Sequence, residues 1–281
     1  MTEKINEYQR YLKEFLILNR LKDLMQLVEE NIIAFVKFSL RVVSGEFPSG
    51  YWEKVVKIRF PQLFNSFKEW LYHLESNTDL KNQLISLIAE NIVEKIHNLS
   101  EMKNPHIPSS GIILDIGSGY LNASGELVYQ ALRNKNLLVY LIDNAELPYK
   151  ITKRVLEILG NPPNIKMLNI SAEKLPFNNN SVDAIMLLYT LHELSKTIHY
   201  IELFHNIENL RVNKESLKKA YFELIPFFDE FYRVLKNNGR LIIFDKIIDA
   251  YNIDFAMQLT SQFHVIEEKT EEKKFYLFLK K

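Results

Sequence analysis

Five short apolar runs rich in β-branched residues recur through the second half of the chain, at residues 112–116, 137–142, 165–170, 182–188 and 240–245. Runs of this length and type suit strands buried on both faces of a parallel sheet. Helical patterns lie between them, at residues 126–133, 149–159 and 222–235, and Gly160 with Pro162 supplies a stop after the second. Strand–helix alternation implies right-handed crossovers, and therefore a doubly wound, Rossmann-like α/β sheet. From His264 onward two more runs flank a charged turn. They predict a terminal antiparallel hairpin, giving a mainly parallel seven-stranded sheet. A plain dinucleotide-binding fold does not usually end this way.

The first 104 residues follow a different rule. Leu12, Phe15, Leu16, Leu24, Met25 and Val28 recur at three- and four-residue steps, the spacing of one buried helical face. The pattern runs on to about Val43, where Ser44, Gly45 and Pro48 stop it. Further helical stretches are expected from Tyr51 to Glu75, interrupted near Pro61, and from Thr78 to about Leu99. The sparse segment MKNPHIPSSG then marks a boundary, giving a helical domain at residues 1–104 and an α/β domain at 105–281.

Composition narrows the function classes. The 281 residues contain no cysteine, which removes disulfides, thiolate zinc sites and cysteine nucleophiles together. Lysine plus arginine and aspartate plus glutamate both number 35, so the chain lacks the basic excess that nucleic-acid binding usually rests on. No apolar run approaches the length of a membrane span, and the N-terminal residues lack a signal-peptide core. A cytoplasmic enzyme without membrane attachment is the expectation. The oligomeric state is not legible.

Two strand ends carry chemistry. The first expected strand closes in Leu114-Asp115-Ile116-Gly117-Ser118-Gly119, a glycine turn that lets backbone approach a ligand closely. The second closes in Ile142-Asp143-Asn144, where a carboxylate can accept both hydroxyls of a ribose.

These strings resemble class I S-adenosylmethionine-dependent methyltransferases. ILDIGSG looks like their first motif and YLIDN like their second. NISAEKLPFNNNSVDAIMLLYTLHEL and FFDEFYRVLKNNGRLIIFD resemble the third-to-fifth-strand blocks of the type 11 group. The four motifs stand in the family's order over residues 111–245, and the terminal hairpin matches the fold's reversed last strand. The helical domain resembles no family we can name.

The resemblance implies S-adenosylmethionine as cofactor and a role for each matched position. Asp115, Gly117 and Gly119 would contact its methionine end, and Asp143 its ribose hydroxyls, with Asn144 alongside. Ser171, Ala172 and Glu173 would lie by the adenine, and Leu188 and Tyr189 would close the pocket. Two departures stand out. Family members usually have an acid where Ser171 stands, leaving backbone or Glu173 for the adenine amino group. The segment YLNAS is a short insertion, after which Gly125-Glu126-Leu127 resumes the usual helix start.

A nicotinamide-dependent enzyme is the nearest rival on fold, but it would want a third glycine where Asn122 stands. The string Asn161-Pro162-Pro163-Asn164 falls before the third strand, so it is a loop and not the NPPY motif of amide methylation. His192 is the catalytic candidate, because imidazole titrates near neutral pH and an oxygen nucleophile must lose its proton. Packing at the strand end is its alternative role and the expected one. The spacing of His192, His199 and His205 fits no single helix face, so no metal site is expected. The segment 195–219 is longer than the family needs and, with the helical domain, is the expected lid.

The leading expectation is thus methyl transfer to a small molecule. An RNA or protein methyltransferase that docks through the helical domain, and a catalytically silent scaffold, are the other readings carried forward.

Overall fold

In the computed structural model, residues 2–99, 107–121, 123–208 and 210–281 are described. The chain divides into two compact units. One is Met1–Lys95 with Lys150–Leu159; the other is Ile96–Tyr149 with Gly160–Lys281. No helix among the described residues is long and apolar enough to cross a membrane.

The N-terminal helices are α1 (Thr2–Leu18), α2 (Met25–Val43), α3 (Tyr51–Arg59), α4 (Phe64–Ser76) and α5 (Thr78–His97). The apolar period that reads as one helix up to Val43 is in fact broken after Leu18. Arg20 turns left-handed at φ 60°, Leu21 N–H reaches the Leu16 carbonyl at 2.7 Å, and Arg20 N–H the Ile17 carbonyl at 3.2 Å. This is a Schellman stop, which Asn19 reinforces by donating its amide to the Phe15 carbonyl at 2.8 Å. Apolar spacing cannot reveal such a stop, because Leu16, Leu21 and Leu24 stay buried on both sides of it. Within this unit the fully buried Trp70 donates to Ser39 Oγ at 2.9 Å, so its one polar atom is satisfied.

The second unit is built on β1 (Gly111–Ile116), α6 (Gly125–Arg133), β2 (Leu137–Asp143) and β3 (Ile165–Asn169), and α7 (Glu146–Ile158), between β2 and β3 in the chain, falls mostly in the first unit. There follow β4 (Val182–Leu188), α8 (Leu191–Leu194), α9 (Lys196–Glu208), α10 (Lys214–Val234) and β5 (Leu235–Lys246). The chain ends with α11 (Ile253–Leu259), β6 (His264–Glu271) and β7 (Lys274–Lys280). The strand order is β3-β2-β1-β4-β5-β7-β6. The first five strands pair in parallel, and β7 runs antiparallel to both β5 and β6. This is the doubly wound sheet with a terminal hairpin expected from the alternation of runs. Four of the five apolar runs coincide with β1 to β4 to within a residue or two, and the fifth lies inside the longer β5. Leu114, Ile116, Leu187, Leu241, Ile243 and Leu277 share one core with Leu224, Phe228 and Phe231 of α10. The order reverses between β1 and β4, which opens a crevice at their carboxyl ends.

Candidate active site

The crevice is lined by the turn after β1. Gly117 has φ +64°, and a Cβ there would lie 2.2 Å from Thr190 Cγ2, so only glycine fits. Thr190 Oγ1 donates to the Gly117 carbonyl at 3.1 Å and so ties this turn to the end of β4. Gly119 N–H donates to Asp143 Oδ2 at 2.8 Å, tying it to the end of β2. Asp143 Oδ1 meanwhile accepts from Ala145 N–H at 2.8 Å, at the start of α7. Asp143 is thus fixed by two amides, although its partial burial pushes its pKa up.

Asp115 stands one residue before the end of β1 and is fully buried. Neither carboxylate oxygen has a hydrogen-bond partner among the described residues, and neither does the neighbouring Ser118 hydroxyl. Burial raises the Asp115 pKa from 3.8 to about 7; the nearby Ser124 hydroxyl, which does not meet hydrogen-bond geometry, pulls it down, and the Asp143 carboxylate adds to the rise. An unpartnered buried carboxylate is costly to keep, and a cation placed beside it would offset that cost.

The other expected positions fall around the same crevice. Ser171 and Glu173 are exposed in the loop after β3, Ala172 is buried between them, and Ser171 Oγ accepts from Glu173 N–H at 3.3 Å. Asn144 is exposed beyond β2, and Leu188 is half-buried at the end of β4. Tyr189 follows with φ +56°, a strained value for a bulky residue, and its ring meets that of Phe244 edge-on at 4.4 Å. α6 begins at Gly125, where the helix was expected to resume. Asn122 of the insertion lies outside the described residues.

His192 is in a different setting. It is 1% exposed at the start of α8, with Nδ1 2.6 Å from Asp245 Oδ1, and its own N–H donates to Asp245 Oδ2 at 2.9 Å. Tyr251 Oη also donates to Asp245 Oδ2, at 2.9 Å, and Lys246 N–H to Oδ1 at 2.8 Å. His192 Nε2 stands 3.3 Å from Glu202 Oε2 on α9, attractive in charge but poorly aligned for a hydrogen bond, and Glu202 pairs with Lys246 Nζ. Burial by itself lowers the His192 pKa, but Asp245 and Glu202 more than reverse this and hold it at about 9. At neutral pH the ring therefore carries its proton and makes a poor general base.

His199 Nδ1 also approaches Glu202, at 3.9 Å, whereas His205 Nδ1 bonds the Leu210 carbonyl at 2.9 Å. No group of three potential ligands is arranged to hold a metal ion among the described residues.

Residues 114–210 match the sequence profile of a methyltransferase domain family, and they span this crevice from β1 through α9. The crevice therefore lies in a methyltransferase domain of the class I S-adenosylmethionine-dependent kind. A ubiquinone/menaquinone biosynthesis C-methyltransferase of Blochmanniella floridana is 24% identical over 189 residues, covering 67% of this chain and 61% of that protein. The chain therefore matches less than two thirds of that relative's length. Among solved structures, a methyltransferase from Aquifex aeolicus is 18% identical, with 68% of this chain and 88% of that one covered, at TM-score 0.44. A 1,6-didemethyltoxoflavin-N1-methyltransferase from Burkholderia thailandensis is 10% identical, with 69% and 78% covered, at TM-score 0.43.

The motifs assigned no role to several residues the structure brings together: Asp245, Tyr251 and Glu202 gather around His192 from β5, the segment after it and α9. One hint does exist. An apolar stretch that runs into an acid, as residues 241–244 do at Asp245, requires a partner for that acid.

Proposed function

We propose that this methyltransferase transfers a methyl group from S-adenosylmethionine to a small-molecule acceptor, with the donor held in the crevice between β1 and β2. One observation carries this reading: Asp115, just before the glycine turn, is a fully buried carboxylate with neither oxygen hydrogen-bonded among the described residues. The cofactor is cationic at its sulfonium and amino groups, so it offers this carboxylate the charge it lacks. When bound, it supplies an already activated methyl group. The turn at Gly117 and Gly119 leaves room for the methionine end. Asp143, already fixed by two amides, keeps lone pairs for the ribose hydroxyls, with Asn144 alongside. Ser171, Ala172 and Glu173 border the adenine, and Leu188 and Tyr189 close the pocket toward the acceptor.

Displacement at a methyl carbon needs donor and acceptor in line, and positioning supplies much of its rate. We assign His192 to that positioning, since a buried imidazolium holds α8 against β5 and has no vacancy for a proton. A small-molecule acceptor agrees with the named activity of the curated relative and with the charge balance of 35 basic and 35 acidic residues. In this reading residues 105–281 form the cofactor-binding domain and residues 1–104 a separate helical domain. Calorimetric titration tests it: S-adenosylmethionine or S-adenosylhomocysteine should bind and a nicotinamide dinucleotide should not. The opposite result would overturn the assignment. A labelled-methyl screen against fractionated small metabolites and macromolecules would then decide the acceptor class.

A further inference from the structure

The register that places Asp143 and Gly117 in the crevice continues across the sheet to a second group of side chains. Ile116 pairs with Ile142 and with Leu187, so the next residue, Gly117, sits level with Asp143 on one side and Leu188 on the other. Leu188 pairs with Phe244, and Phe244 with Tyr276. Two strand spacings, about 10 Å, separate the glycine turn from Phe244.

The rings there form a shelf. Phe244 and Tyr276 stack at 4.3 Å with an interplanar angle of 17°, and Tyr189 meets Phe244 edge-on. All three are only half-buried, although they lie at the end of a sheet whose interior is sealed. Above them Lys274 Nζ stands 5.6 Å from the centroids of both Tyr189 and Phe244. Lys274 is exposed and is the direct cross-strand partner of Lys246. Like charges opposed across an antiparallel pair are unfavourable. Lys246 is relieved by Glu202; Lys274 faces Glu271 across the β6–β7 pair without forming an ion pair among the described residues, and the Tyr189 hydroxyl and Glu271 both favour its charge.

We propose that this shelf binds the methyl acceptor, and that the acceptor is a planar aromatic molecule bearing an ionised oxygen. The inference rests on the methyltransferase reading and goes beyond it by naming the acceptor's chemistry. The stacked rings offer a flat apolar surface for an aromatic ring, and Lys274 offers the counter-charge at its edge. The acceptor oxygen brings the electron pair for the new C–O bond. The C–S bond breaks with its pair left on sulfur, and no proton has to be removed.

Three probes separate the two halves of the idea in equilibrium titrations followed by tyrosine fluorescence: 2-naphthoate, its neutral carboxamide, and cyclohexanecarboxylate. 2-Naphthoate should bind at least about tenfold more tightly than either of the others, the effect of about one lost ionic or stacking contact. Lys274→Ala should reduce 2-naphthoate to the affinity of the carboxamide, and Tyr276→Leu should weaken both planar probes. Neither change should alter S-adenosylhomocysteine affinity measured by calorimetry. Equal binding of the three probes, or no effect of Lys274→Ala, would overturn the proposal and leave the cofactor reading intact. Absence of S-adenosylhomocysteine binding would overturn the cofactor reading instead. The same titrations on unliganded protein would still report on the shelf.

Discussion

Asp115 and Asp245 are both fully buried carboxylates near the carboxyl ends of strands in one sheet, yet their surroundings are opposite. Asp245 engages the His192 ring and amide, the Tyr251 hydroxyl and the Lys246 amide. Asp115 has no hydrogen-bond partner among the described residues. A buried charge whose needs are met inside the chain is part of the framework. One whose needs are unmet is, in the function proposed above, an element of binding that the cofactor completes. The two acids should therefore respond in opposite ways to removal.

The largest effect belongs to the satisfied acid. Asp245→Ala leaves an imidazolium buried without its counter-charge and should cost about 3–5 kcal/mol of unfolding free energy. Equilibrium denaturation of Asp245→Ala, His192→Ala and the double variant measures this. The double variant should lose less than the sum of the singles, because both remove one interaction. Strict additivity would show that the pair is not the unit described. Turnover per folded molecule should persist in His192→Ala, whereas a fall of about 10²–10⁴-fold would make it a general base after all.

Asp115→Asn comes next and reverses the pattern. Removing an unpaired buried charge should leave the free protein as stable as before or more so. Affinity for S-adenosylhomocysteine should fall by about 1.5–3 kcal/mol, the scale of a contact to a charged group. Loss of stability with unchanged affinity would make Asp115 a framework residue like Asp245. Asp143→Ala, which removes a carboxylate already shared with two amides, should weaken the same affinity by about 1–3 kcal/mol. An unchanged dissociation constant would take Asp143 out of the site.

The pH dependence of stability separates the two groups. His192 is raised from 6.5 to about 9, so its contribution is complete below pH 6.5 and lost as pH rises through about 9. Asp115 is raised from 3.8 to about 7, so folding favours its neutral form and stability declines as pH rises from about 4 through 7. Thermal unfolding of the free protein should show both declines. Asp115→Asn should abolish the lower one alone, and His192→Gln the upper one alone. Saturating S-adenosylhomocysteine should flatten the lower decline, because the ligand favours ionised Asp115. A lower decline that persists with ligand bound would place the cation away from that carboxylate.

The sequence by itself determined the layered architecture and the cofactor motifs, because both rest on local rules. A β-branched run such as 137–142 is a buried strand wherever it occurs, and a glycine turn after such a strand can only open toward a strand's carboxyl end. Asp115, Gly117 and Asp143 could be singled out from position alone. The break at Arg20 and the start of β5 at Leu235 were not visible, since a backbone stop within an unbroken apolar period, or a polar start to a buried strand, leaves no mark on spacing. Only the tertiary structure decided which acid is completed and which is not. His192 and Asp245 are 53 residues apart, and until β4 pairs with β5 nothing in either segment sets the protonation of that ring. The same holds for Tyr189, singled out only as closing the cofactor pocket, and for Phe244, Tyr276 and Lys274, to which the sequence assigned no role. Burial and charge balance belong to groups brought together across the sheet, and periodicity along one segment carries no record of them.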